Sequence, residues 1–143
     1  AHVKWVEPDN IHLTLKFLGY ITKEELEKVK LATREALRPF APFEMGVARL
    51  GAFPKINYPR VIWMGINKGR EVLKRIASNL EERLAIIGFV KEKRPFSPHL
   101  TLGRVKSSKG RERLIEALTK VEATNLGKMS ADKVSIMKSQ LTP

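Results

Sequence analysis

The chain of 143 residues contains no cysteine, which excludes disulfides and thiol chemistry. Such a composition suits a reducing compartment, and a cytoplasmic location is expected. No apolar run approaches the roughly 18 residues of a membrane span, so no membrane partner is expected. No signal peptide opens the sequence as given. Histidine is scarce, with three residues, and nothing resembles a His/Cys cluster with zinc spacing. Acidic side chains are few beside the basic ones, 15 against 27, which leaves a net charge of +12. An excess of that size favours a polyanion, nucleic acid first, and speeds its encounter. The same charge also fits a thermophile's ion-rich surface. The hydrophobic share of 43% is enough for a globular interior. The length fits one domain over 1–143, or two small lobes sharing a core.

Two of the three histidines sit in one repeated word. Residues 10–19 read Asn-Ile-His-Leu-Thr-Leu-Lys-Phe-Leu-Gly, and residues 97–105 read Ser-Pro-His-Leu-Thr-Leu-Gly-Arg-Val. With seven threonines in the chain, two of three histidines would have Thr two places on in roughly 0.7% of cases by chance. The word is therefore treated as one motif used twice.

Side chains on a strand alternate faces. His12 and Thr14 would share one face, and Leu13, Leu15 and Phe17 the other. His99 and Thr101 would likewise oppose Leu100 and Leu102. Two such strands brought together aim two imidazoles and two hydroxyls at one spot. That set suits a phosphodiester. With an ordinary pKa of about 6.5, one ring serves as neutral base while the other serves as charged acid. Threonine hydroxyls donate to phosphate oxygens. This chemistry requires neither metal nor cofactor.

These paired words resemble the His-x-Thr-x motifs of the 2H phosphoesterase superfamily. Residues 5–10, 59–65 and 139–143 are similar to its RNA 2′,3′-cyclic phosphodiesterase branch, also called LigT-like or 2′-5′ RNA ligase. The resemblance runs the whole length of the chain. It implies an α+β fold of two lobes, with two antiparallel sheets and outer helices around a central groove with a pseudo-twofold axis. It implies hydrolysis of RNA 2′,3′-cyclic phosphate ends to 2′-phosphates, with tRNA halves among the candidate partners and reversible 2′-5′ joining in some members. By match of position, His12 would protonate the leaving oxygen and His99 would activate water. Thr14 and Thr101 would hold the phosphate, and Arg104 matches a basic residue following the second motif. Members usually carry a further strand and helix before the segment matching Ala1, and a further strand after the segment matching Pro143. Open sheet edges are expected where those strands are lacking.

In chain order, a short strand over 3–6 and a turn over 7–10 precede the first motif strand, expected from Ile11 to Leu18 and closed by Gly19. Lys16 falls on the His/Thr face, either to meet phosphate or as a solvated lysine. Thr22 to Glu25 has the form of a capping box, opening a helix that runs to about Arg38 before Pro39. A strand over 43–50, a Pro- and Asn-rich loop over 52–58 and a strand over 61–66 follow. Trp63 is either a platform for stacking a base or a core aromatic, and Phe17 and Phe53 are open in the same way. The longest helix runs from Lys68 or Gly69 to about Ile87, with Gly88 as its C-cap. Residues 91–113 are sharply basic, as a backbone-holding patch would be. Strict alternation places Arg104 on the leucine face, so it reaches the groove only through a bulge at Gly103. A last helix to about Val121, a loop over 123–129 and a strand over 131–141 complete the chain. Competing readings are a non-catalytic module that binds an RNA end or nucleotide, and a fragment needing its missing strands.

Overall fold

A computed structural model describes residues 2–120 and 126–139. Strand β1 (Val3–Trp5) leads into a 3₁₀ turn at Pro8–Asn10, then helix α1 (Lys23–Leu37). Strands β2 (Phe43–Lys55) and β3 (Tyr58–Ile66) form a hairpin, followed by helix α2 (Arg70–Ile86). Strand β4 (His99–Val105), helix α3 (Arg111–Lys120) and strand β5 (Gly127–Ala131) follow. Among the described residues the strands join in one antiparallel sheet, ordered β1-β4-β3-β2-β5, and not in the two sheets expected. Both motifs meet on β4, so no second sheet is needed to bring them together. No helix among the described residues is long and apolar enough to cross a membrane.

The helices start and stop where local chemistry dictates. Thr22 Oγ1 accepts from Glu25 N–H (3.1 Å), and the Glu25 carboxylate accepts from Thr22 N–H (2.9 Å). At the end of α2, Gly88 takes φ +103°. Gly88 N–H donates to Ala85 (3.1 Å) and Phe89 N–H to Leu84 (3.0 Å), which closes the last carbonyls.

One face of the sheet is covered. Leu73 of α2 packs on Met45, Ile66 and Leu100. Leu114 and Leu118 of α3 pack on Ala52 and Ile62. Helix α1 lies against α2 through Val29 and Ala36 with Ile76, Leu80 and Leu84. The opposite face carries the side chains that alternate with this core, and no helix covers it among the described residues.

Three expectations are corrected. The first motif is not a strand from Ile11 to Leu18. It makes a single bridge, Leu13 opposite Leu100, and the chain bends at Leu15. The turn at Pro8–Asn10 lifts the chain off β4, whose far end is already paired with β1. Ile11, Leu13 and Leu15 still enter the core, so the period of two survives without a ladder. Residues 52–58 are not a loop, because β2 and β3 run to a tight turn at Ile56-Asn57. Pro54 and Pro59 face one another beside a shift in register, where a missing N–H is tolerated. The last strand is β5 at Gly127–Ala131, which begins inside the expected loop and ends on the first residue of the expected strand, and 132–139 carry none. The sequence Gly-Lys-Met-Ser-Ala has little strand propensity, but the free edge of β2 recruits it, with Met129 opposite Met45. The rest of that loop at 123–125, the expected helix end at Val121 and the end of the expected strand lie outside the described residues.

Candidate active site

The bridge between Leu13 and Leu100 joins the two motifs antiparallel at their central leucines. An antiparallel pair has a local twofold axis. His12 therefore faces Thr101, and Thr14 faces His99. Directly opposed side chains have Cβ atoms about 4.5–5.5 Å apart, and diagonal ones such as the two histidines about 7–8 Å. Both leucines point into the same core, so all four polar side chains belong to the open face.

Each imidazole is held in the same way. His12 Nδ1 lies 2.7 Å from the Asn10 carbonyl, and His99 Nδ1 lies 2.7 Å from the Ser97 carbonyl. A carbonyl only accepts, so each Nδ1 carries the hydrogen and donates it. Each Nε2 is left free for a proton on the open face. The two rings differ in their neighbours. His12 is exposed. His99 is half-buried, with the Phe53 ring 5.1 Å away at 83° and the Trp63 ring 6.4 Å away. Phe53 and Trp63 are themselves 5.3 Å apart, which makes an aromatic wall on the His99 side alone. Trp63 fits there because it lies over Gly51, where any Cβ would run into its ring.

A bulge in β4 re-aims Arg104. Residues 99–101 pair with Gly65–Trp63, but the register slips between Ile62 and Trp63. Arg104 then stands opposite Val61, on the face that carries Trp63, Gly65, Thr101 and His99. Leu102 meanwhile packs in the core. The bulge that Arg104 needs is thus present, and Gly103 accommodates it where Val3 and Trp5 crowd its α-carbon.

The structure separates the remaining candidates. Lys16 does not reach the groove. Its ammonium pairs with Glu81 (2.8 Å) and donates to the Val90 carbonyl (2.8 Å), with 6% of the side chain exposed. The bend at Leu15 breaks the alternation that put Lys16 beside Thr14. Phe17 is 78% exposed and is not in the aromatic wall. Trp63 is half-buried, with its ring 6.4 Å from that of His99.

A cavity of about 610 Å³ opens beside His99 and the aromatic wall. Arg49 and Arg70 line it and were not foreseen as site residues. A signal for Arg49 exists: core residues step by two at Met45 and Val47, then by three to Leu50, which marks a bulge. Among the described residues, no three His, Cys, Asp or Glu gather where they could hold a metal.

Residues 1–63 and 65–143 match the family described as LigT like phosphoesterase. The chain belongs to that family. It is 37% identical over its whole length to the RNA 2′,3′-cyclic phosphodiesterase of Methanothermobacter thermautotrophicus, spanning 77% of that protein. It is 36% identical to the one of Aquifex aeolicus over 97% of this chain and 74% of that protein. Among solved structures, TT0787 of Thermus thermophilus superposes with a TM-score of 0.66 at 27% identity, over 92% of this chain and 66% of that one. E. coli LigT complexed with 3′-AMP gives 0.64 at 26% identity, over 89% of this chain and 66% of that one. The chain thus spans about three quarters of these curated relatives and slightly under two thirds of these solved chains. The LigT-like phosphoesterases named here are enzymes, so the chain is a member of an enzyme family.

Proposed function

We propose that this LigT-like protein hydrolyses RNA 2′,3′-cyclic phosphate ends to 2′-phosphates. The observation that carries the reading is the antiparallel meeting of the two motifs, with matched Nδ1–carbonyl hydrogen bonds behind both imidazoles. The names of the curated relatives supply the substrate class, and the LigT complex with 3′-AMP supports a nucleotide-sized ligand.

In this mechanism the cyclic phosphate lies across the bridge. His99 Nε2 takes a proton from water as the water oxygen bonds to phosphorus. The bond from phosphorus to O3′ breaks, and protonated His12 gives its Nε2 proton to O3′. Thr14 and Thr101 donate to the non-bridging oxygens, and Arg104 balances the charge that develops on them. The roles of acid and base follow the family resemblance, since the two cradles are alike. With an RNA 5′-hydroxyl in place of water as the nucleophile, His99 would take its proton, the bond from phosphorus to O3′ would break as before, and the ends would be joined 2′-5′.

The test is a short RNA ending in a 2′,3′-cyclic phosphate, incubated with EDTA. A 2′-phosphate product is expected. His12→Ala and His99→Ala should each lower turnover by about 10²–10⁴-fold without changing the melting temperature. A 3′-phosphate product would exchange the leaving oxygen and the two roles. Retained RNA binding with no product would select a non-catalytic module.

A further inference from the structure

The cavity beside His99 has a wall that the hydrolytic step does not use. Two guanidiniums stand there, Arg49 from the bulge of β2 and Arg70 from the first turn of α2. No carboxylate lines the cavity among the described residues, and neither arginine is in an ion pair with one. The nearby Glu44 is engaged by Lys68 (3.3 Å) and Lys128 (3.7 Å), and Glu71 by Lys74 (3.7 Å). Arg49 holds φ at +70°, the one positive value among the described non-glycine residues. An L side chain adopts that conformation rarely, and such strained positions cluster at binding and active sites.

Position gives these charges a meaning. In the proposed mechanism the phosphate lies across the bridge, beside His99, Thr101 and Arg104 on β4. The cavity runs the other way, past Phe53 and Trp63 toward Ser97 and Asn67. Its size falls within the range of ordinary ligand pockets, about 300–1,000 Å³. A path from the scissile phosphate past an aromatic wall to a second cationic point matches one nucleoside carrying phosphate at both ends. The terminal nucleoside of an RNA has its cyclic phosphate on the 2′ and 3′ oxygens and its next phosphodiester on the 5′ oxygen.

We infer that Arg49 and Arg70 bind the 5′-phosphate of the terminal nucleotide, so that the site selects polymer ends over cyclic mononucleotides lacking that group. This rests on the proposed hydrolysis for its biological meaning, but its test does not. Calorimetry compares adenosine 3′-phosphate with adenosine 3′,5′-bisphosphate on the wild type and on Arg49→Gln, Arg70→Gln and the double variant. The bisphosphate should bind at least about tenfold more tightly to the wild type, as a charge-assisted phosphate contact provides. The double variant should lose that advantage while binding the 3′-phosphate as the wild type does. Equal affinity of the two ligands for the wild type would overturn the inference. So would variants that weaken both ligands alike while remaining folded by circular dichroism.

Turnover then separates the two readings. A dinucleotide ending in a cyclic phosphate should have the higher kcat/KM, and Arg49→Gly, which relieves the backbone, should remove that preference. If no RNA is turned over yet the bisphosphate preference holds, the hydrolysis fails and the pocket assignment stands. If the dinucleotide and the cyclic mononucleotide are cleaved at equal rates and the arginine variants change neither, the hydrolysis stands and the pocket assignment fails.

Discussion

At the scale of single residues, environment decides what a side chain does. His12 and His99 share one feature: a carbonyl two residues upstream holds each ring. Tyr58 shows the same rule away from the site. Arg60 donates to its hydroxyl at 3.4 Å, and the Arg111 guanidinium lies 4.3 Å over its ring. The hydrogen bond from Arg60 and then the charges of Arg60 and Arg111 hold the phenol below the usual tyrosine value of 10.0. The fold favours the phenolate, so the stability this adds is fully present above the ordinary value and gone once pH drops below the folded midpoint. A titration followed by tyrosinate absorbance should show a component that titrates early. Arg60→Ala should move it up, Tyr58→Phe should remove it, and neither should change stability at pH 7.

Elements were legible where local chemistry settles them and obscure where tertiary pairing does. The box at Thr22 and Glu25, the stripe of α2 and its Gly88 cap depend on neighbours in sequence, and they lie where the chain indicates. The first motif has strand residues but meets β4 only at Leu13, because the turn at Pro8–Asn10 spends the intervening residues. Strand β5 has the opposite history: weak residues made extended by the edge of β2. Four chemical residues of the site were visible as a repeated word, whereas Arg49 and Arg70 come together only when a bulge and a helix start meet. Lys16 was misplaced for a reason that yields a prediction. It ties the motif segment to α2 through Glu81, and removing it leaves a half-buried carboxylate held only by the Glu92 N–H. Lys16→Ala should cost about 1–3 kcal/mol in chemical denaturation, and Lys16→Met with Glu81→Gln should recover part of it.

For the whole molecule, the layout is a sheet with helices on one side and chemistry on the other. The net charge of +12 is not evenly neutralised, since Glu81, Glu82 and Glu44 are occupied by lysines close by. Affinity for an RNA end should therefore fall steeply with salt. For single strands, log K against log salt loses about 0.7 in slope per phosphate contact. Replacing Arg104 with Gln should flatten that slope by about one contact for a cyclic-phosphate RNA, measured by fluorescence anisotropy. Replacing Lys133, on the exposed stretch after β5, should leave it unchanged.

The bridge at Leu13 and Leu100 also bears on direction. Rotation by half a turn about that point exchanges the two imidazoles and the two hydroxyls, so the chemistry itself has no front or back. What tells the two ends apart is the pair of rings, Phe53 and Trp63, set beside only one histidine, and Arg104, which has no counterpart after the first motif. The aromatic wall and Arg104 together draw the arrow on an otherwise symmetric device.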